Sequence, residues 1–214
     1  MRTSASCVPL ILLAAQLCPA QWMFRGDPAH SGIYPEPGPR QFHGIKWKFA
    51  TGNRVASSPV WHEDTLYFGS DDGSVYAVDA AGGRQKWRFV TRGPVPATPA
   101  VSGGLVYFPS YDGMIYAVDA RTGKLRWKTA TGGERRFEAK GLHGMAPKNQ
   151  TFADPYDVFL SSPVVVNESV YVGSGDGNLY ALDAASGNVR WKFPTGDVVG
   201  SLERSCWHVP ERLQ

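Results

Sequence analysis

The chain has 214 residues with 22 Lys or Arg and 19 Asp or Glu, so its formal net charge is only +3. This small charge, without a basic run longer than two residues, excludes the electrostatic footprint of a nucleic-acid-binding protein. Gly and Pro, with 24 and 16 residues, are too frequent for a helical bundle or a coiled coil, because both destabilise helix interiors. The 12% of aromatic residues, seven Trp among them, excludes a disordered chain and predicts a turn-rich β protein with a real core.

Residues 1–20 have the pattern of a signal peptide. A basic residue precedes a short apolar run over 8–17, and Cys18 and Ala20 place small residues three and one before the expected cleavage point. The run is too short to span a bilayer comfortably; the alternative is a buried N-terminal helix. Cleavage would leave Cys206 as the only cysteine, so we expect no internal disulfide. The sequence predicts an exported protein without a transmembrane segment.

Residues 21–44 are predicted as a lead-in, and residues 45–51 (IKWKFAT) as a single β-strand. This strand is rich in aromatic residues, as strands are. It has the same pattern as the last strand of each repeated unit that follows, but no strands of its own unit precede it. We therefore expect it to be the lone fourth strand of an incomplete unit.

The body of the chain, predicted over 45–200, is an internal repeat. Four Trp residues are separated by 40, 40 and 64 residues, the last spacing being one period plus an insertion of 24. Such a period indicates a repeat architecture. The positions that recur in this register are Trp47, Trp87, Trp127 and Trp191; Gly83, Gly123 and Gly187; and Asp79, Asp119 and Asp183.

Each unit is predicted to form four short antiparallel strands. In the third unit they are residues 161–166, 169–174, 178–184 and 189–193, rich in β-branched and aromatic residues. Asp176-Gly177 predicts a tight hairpin with positive φ at both residues. Four strands in about 40 residues are typical of a β-propeller blade. The fold prediction is all-β, an open and truncated propeller with complete blades at about 57–92, 97–132 and 161–196.

The repeated Trp is interpreted as a wedge between neighbouring blades. The motif Ala-x-Asp-x-x-x-Gly-x-x-x-Trp occurs at 77–87, 117–127 and 181–191. It resembles the tryptophan-docking repeat of the PQQ-like (pyrroloquinoline-quinone-like) β-propellers, and residues 22–32 resemble the start of exported members. The resemblance covers about residues 21–200. It implies a bacterial protein of the periplasm or the cell exterior. The family contains quinoprotein dehydrogenases and an outer-membrane β-barrel assembly scaffold, so it implies a fold more than an activity.

The insertion at 133–160 is the first candidate for a binding site, because long loops on a rigid scaffold often carry function. It could form a lid over the central funnel in which basic side chains meet an anionic ligand. The alternative is a surface loop packed by its own aromatic residues. The candidate cofactor-binding residues are Arg135, Arg136, His143 and Lys148.

Other residue patterns do not predict a catalytic or metal site. Asp72, Asp112 and Asp176 recur at turn tips, where Asp is favoured without any ligand; a shared cation is the alternative. The five His residues lack the paired spacing of a zinc site, and there is no nucleophile elbow, phosphate loop or dinucleotide fingerprint.

The repeat ends abruptly. The tail at 201–214 has no strand pattern, which predicts a truncation, a frameshift or a gene fragment; a C-terminal cap is the alternative. An open arc would expose blade faces and unpaired edges, which favours a protein partner or self-association.

Three functions follow from this sequence. The first is a non-catalytic, exported binding or assembly scaffold, without a cofactor. The second, implied by the resemblance, is a fragment of an alcohol or sugar dehydrogenase that uses PQQ held by calcium, although the adjacent cysteines common in such enzymes are missing. The third is a broken chain without a function of its own.

Overall fold

The computed structural model describes residues 23–26, 44–133, 136–138, 151–153 and 161–195. Three four-stranded antiparallel sheets, called blades 1 to 3, follow one another along the chain, and the strands of each pair in sequence order. This all-β architecture confirms the predicted partial propeller. Blade 1 contains β1 (Val60–His62), β2 (Thr65–Ser70), β3 (Ser74–Asp79) and β4 (Gln85–Val90); blade 2 contains β5 (Ala100–Ser102), β6 (Leu105–Ser110), β7 (Met114–Asp119) and β8 (Leu125–Ala130).

The insertion contains a small hairpin that the sequence did not predict. Its strands are β9 (Arg136–Glu138) and β10 (Thr151–Ala153), and they pair antiparallel, with Phe137 opposite Phe152. Blade 3 follows with β11 (Val164–Val166), β12 (Ser169–Ser174), β13 (Asn178–Asp183) and β14 (Val189–Pro194). Part of the insertion is therefore a β-ribbon rather than an irregular loop.

The turn between the second and third strands differs from the prediction. Ser70 pairs with Ser74, so three residues make the connection, and only Gly73 has positive φ, at 81°. Gly113 and Gly177 repeat this conformation. The prediction of positive φ at both central residues was wrong, because a three-residue hairpin needs a left-handed residue only at its last position.

The core lies between the blades. The middle strands β3 and β7 are buried on both faces along most of their length, which explains why their hydrophobic pattern does not alternate. One cluster of buried residues joins Tyr67, Val75 and Trp87 of blade 1 to Val106 and Val118 of blade 2. Each blade is thus stabilised mainly by its neighbour.

Residues 44–51, which include the predicted lone fourth strand at 45–51, pair with no strand among the described residues. Instead this stretch, called the lead segment, lies against blade 1. The Phe49 ring packs edge-on against Phe68 and Tyr76, with ring centroids 5.9 and 5.3 Å apart. Side-chain packing holds the segment where a preceding blade would otherwise lie.

The predicted signal peptide, most of the lead-in and the tail at 201–214 lie outside the described residues. Within the described ranges, helical structure is limited to a three-residue turn, Phe24–Gly26. No helix there is long and apolar enough to cross a membrane.

Candidate functional site

The contacts between consecutive blades, called joints, bring most of the recurring residues together. At the joint between blades 1 and 2, the Trp87 indole Nε1 donates a hydrogen bond of 2.8 Å to the Ala120 carbonyl oxygen. The Tyr67 hydroxyl donates to the same oxygen at 3.1 Å. One carbonyl thus uses both lone pairs. The Trp87 side chain is almost entirely buried, with 8% of the residue exposed.

A glycine makes room for the indole at each joint. A Cβ atom on Gly123 would lie 2.7 Å from Cδ2 of Trp87, and Gly123 has a φ of +69°. Both the close approach and the left-handed backbone require glycine. Gly83 faces Trp47 and Gly187 faces Trp127 in the same way.

The indole-to-carbonyl bond occurs at both joints and also where the lead segment packs on blade 1. Trp47 donates to the Ala80 carbonyl at 3.1 Å, and Trp127 donates to the Ala184 carbonyl at 2.9 Å. Every blade has a β-bulge at the same position, which lies between Ala77 and Val78 in blade 1. The bulge changes the direction of the strand next to the Trp. Trp191, the equivalent residue of blade 3, remains 38% exposed.

The Asp residues at the turn tips form a second link across each joint. Oδ2 of Asp112 accepts hydrogen bonds from the Arg92 backbone N–H at 3.1 Å and from the Tyr116 hydroxyl at 2.6 Å. Arg92 follows the last strand of blade 1, and Asp112 belongs to blade 2. Equivalent N–H to carboxylate bonds join Gly52 to Asp72 at 2.9 Å and Gly132 to Asp176 at 2.7 Å.

This Tyr–Asp link was missed at the sequence level, although the four-residue spacing of Asp and Tyr recurs in every unit. The link between Gly132 and Asp176 has the same form as the others even though the insertion separates the two residues. Blades 2 and 3 therefore join as blades 1 and 2 do, although the insertion separates them in the sequence.

Hydrogen bonding changes the ionisation of this link. Burial pushes the pKa of Asp176 upward, but the hydrogen bonds from Tyr180 and from the Gly132 N–H outweigh it and hold the pKa below 3.8. Burial and the neighbouring Asp176 carboxylate together raise the pKa of Tyr180 to about 12. Tyr180 therefore stays a donor and Asp176 an acceptor at neutral pH.

We expect the free energy of unfolding to fall when the pH drops below about 4. A lowered carboxyl pKa in the folded state contributes stability that is complete above the unfolded-state pKa, and this stability is lost as the pH falls through the folded-state pKa. Asp176→Asn should flatten part of this decline, whereas Glu63→Gln, which alters a side chain that is 80% exposed, should not. Acid unfolding followed by circular dichroism provides the measurement. An identical acid limb in Asp176→Asn and wild type would contradict the role of this carboxylate.

The Asp residues of the repeated motif close the turn between the third and fourth strands. Oδ1 of Asp119 accepts from the Thr122 N–H at 2.9 Å and from the Thr122 hydroxyl at 2.8 Å. Asp79 accepts from the Gly82 N–H, and Asp183 accepts from Ser186 and from Arg190. These carboxylates position the glycine on which the Trp of the preceding blade docks.

The candidate residues of the insertion are not brought into this arrangement. Arg135, His143 and Lys148 lie outside the described residues, and Arg136 is described only as a backbone position in β9. Among the described residues there is no group of three or more His, Cys, Asp and Glu that could hold a metal ion.

The joint between blades 2 and 3 carries fewer aromatic residues than the joint before it. Phe89 of blade 1 packs against Phe108 and Tyr116 of blade 2. At the next joint Thr129 and Val172 occupy the positions of the two Phe residues. An open groove of about 730 Å³ lies at the end of this joint, and its lining includes Thr131, Gly132, Asp176, Tyr180 and Trp191.

Comparison with known proteins agrees with this architecture. The family model described as outer membrane protein assembly factor BamB matches residues 43–197. A comparison with curated protein sequences gives no significant match.

Three solved structures illustrate the similarity. BamB from Moraxella catarrhalis is 20% identical with a TM-score of 0.54, over 71% of this chain and 41% of that one. A europium-containing methanol dehydrogenase is 24% identical with a TM-score of 0.58, over 81% and 32%. The quinohemoprotein alcohol dehydrogenase ADHIIG from Pseudomonas putida HK5 is 25% identical with a TM-score of 0.51, over 69% and 21%.

The chain thus spans less than half the length of each of these three proteins. The match to the family model covers most of the chain, and the repeated joints have the residues of the tryptophan-docking motif. The chain belongs to the PQQ-like β-propeller repeat family whose model is described as outer membrane protein assembly factor BamB.

Proposed function

We propose that this chain is an exported, non-catalytic scaffold that holds other proteins during the assembly of outer-membrane proteins. The observation that carries the proposal is the use of the recurring polar groups. Both oxygens of the Asp112 carboxylate accept hydrogen bonds, Oδ2 from Arg92 and Tyr116 and Oδ1 from the Met114 N–H at 3.1 Å. The Asp112 carboxylate therefore stabilises the joint, as a scaffold requires, and both of its oxygens are used within the protein.

Two further features support this role. The matched family model is described by a function in outer-membrane protein assembly, and residues 1–20 have the pattern of a signal for export. Blades held rigidly by repeated joints present their turns and edges to a partner with little loss of entropy on binding.

A PQQ-dependent alcohol or sugar dehydrogenase fragment is the second candidate, favoured by the 25% identity to ADHIIG. A calcium ion that holds the quinone needs six to eight oxygen ligands. The carboxylates of Asp112 and Asp176 already accept hydrogen bonds within two different joints, and the described residues contain no group of three or more His, Cys, Asp and Glu that could hold a metal ion. The oxygen ligands in the described part of the chain therefore do not fit PQQ held by a calcium ion.

One experiment separates the two functions. The full chain is titrated with PQQ in the presence of calcium while Trp fluorescence is recorded, and is titrated separately with a fluorescently labelled, unfolded outer-membrane β-barrel protein. We expect saturable binding of the unfolded protein and no saturable quenching by PQQ. Stoichiometric quenching accompanied by dye-linked oxidation of an alcohol would overturn the scaffold and establish the dehydrogenase.

A further inference from the structure

The edge strand of blade 3 has an exposed apolar face. The equivalent strands β4 and β8 bury their Trp residues, with 8% of Trp87 and of Trp127 exposed. In β14, Trp191 is 38% and Phe193 55% exposed. The Tyr171 and Trp191 rings nevertheless lie 5.8 Å apart, as their counterparts do at the buried joints. The strand is therefore arranged for a joint that the described chain does not complete.

The opposite end of the arc carries the complementary half of a joint. On blade 1 the Ala80 carbonyl, Gly83 and the rings of Phe68 and Tyr76 face away from blade 2, and the lead segment covers them. Trp47 docks on Gly83 and hydrogen-bonds to Ala80. Packing of side chains and the bond from Gly52 to Asp72 hold the segment there without any strand pairing.

The side chains of β14 match those of the lead segment. Residues 45–51 read IKWKFAT and residues 189–195 read VRWKFPT, so that Trp, Lys, Phe and Thr coincide. The remaining positions include the similar pairs Ile–Val and Lys–Arg. The lead segment thus shows how β14 would fit on blade 1, with Trp191 on Gly83 and Phe193 between Phe68 and Tyr76.

We propose that β14 of one copy of this chain docks on blade 1 of a second copy, in the place of the lead segment, and that the chain self-associates through this joint. The interface is a continuation of the joints within the chain, with the same indole donor, carbonyl acceptor and glycine. The described residues of two copies contain six blades, within the range of about four to eight blades that closes a propeller. Reciprocal docking therefore gives a dimer in which both edges are covered. This inference does not depend on the proposed scaffold function.

The lead segment competes with the second copy. Because it belongs to the same chain, its effective concentration at blade 1 is high, so association of the wild type is weak. Replacing Trp191 or Trp47, one at a time, should therefore have opposite effects on self-association. Trp191→Ala removes the docking side chain and weakens association, whereas Trp47→Ala releases the acceptor face and strengthens it.

The test measures the mass of the full chain by analytical ultracentrifugation over a range of concentrations. We expect a monomer–dimer equilibrium, about 30-fold weaker in Trp191→Ala, as for a central interface Trp, and at least tenfold tighter in Trp47→Ala. Trp61→Ala, which alters a Trp that is 52% exposed in blade 1, is the matched control and should associate as the wild type does.

The double variant Trp47→Ala/Trp191→Ala distinguishes specific docking from aggregation of a loosened blade 1. It should be monomeric if β14 is the docking strand. A wild type that is monomeric at every concentration, a dimer unaffected by Trp191→Ala, or a double variant that still associates as Trp47→Ala does would each overturn the proposal.

Discussion

Trp127→Ala is expected to destabilise the protein by about 3–5 kcal/mol, as for other buried Trp residues replaced by Ala. The substitution empties the space above Gly187 and removes the donor to the Ala184 carbonyl. Since 1 kcal/mol shifts the Tm of a chain of this size by about 2–4 °C, the Tm should fall by about 6–20 °C. Thermal unfolding followed by far-UV circular dichroism measures the change.

Trp191→Ala is the matched control, because it removes the same side chain from the same motif where no blade covers it. Trp191 is 38% exposed whereas Trp127 is 8% exposed. Trp191→Ala should therefore lower the free energy of unfolding by only about 1 kcal/mol. The comparison is made at a protein concentration below that of self-association. Equal losses of stability in the two variants would show that the joint does not stabilise the blades.

Gly123→Ala is expected to have a similarly large effect from the other side of a joint. The added Cβ would lie 2.7 Å from the Trp87 ring, so the indole must move and its bond to the Ala120 carbonyl is lost. The left-handed backbone, with φ at +69°, adds roughly 1–2 kcal/mol for a residue with a side chain. We expect the free energy of unfolding to fall by about 3–5 kcal/mol in total, and most of this fall comes from the disruption of Trp87 docking.

Gly103→Ala separates the two contributions. Gly103 also has positive φ, at +57°, but a Cβ there would have no atom within 4 Å. Gly103→Ala should therefore lower the free energy of unfolding only by the backbone contribution, about 1–2 kcal/mol. Chemical denaturation of both variants provides the free energies of unfolding. A loss in Gly123→Ala no larger than in Gly103→Ala would contradict the close packing of Trp87 on glycine.

Much of the fold could be predicted because its signals are local and repeated. The 40-residue period, the alternation of turns and strands, and the position of each Trp relative to Gly and Asp are properties of consecutive residues. The third strand of blade 3 was predicted at 178–184 and is observed as Asn178–Asp183. The hairpin of β9 and β10 was missed because its two three-residue strands are separated by a long stretch without a hairpin turn signal.

The candidate site was predicted less well, for a physical reason. The four-residue spacing of Asp112 and Tyr116 was visible, but the backbone N–H that completes the link comes from Arg92 of the preceding blade. A backbone donor has no signature in the sequence. The residues singled out in the insertion, Arg135, His143 and Lys148, lie outside the described part of the chain, and their role in ligand binding stays a prediction.

The sequence by itself determined the number and type of blades, the recurring Trp, Gly and Asp positions and the match of residues 45–51 to 189–195, because these depend only on periodicity. Only the tertiary structure decided that one carbonyl accepts from both Tyr67 and Trp87, that the lead segment packs without pairing, and that Trp191 is left exposed. These features depend on which blade face lies opposite which strand, and that proximity arises only when consecutive sheets stack.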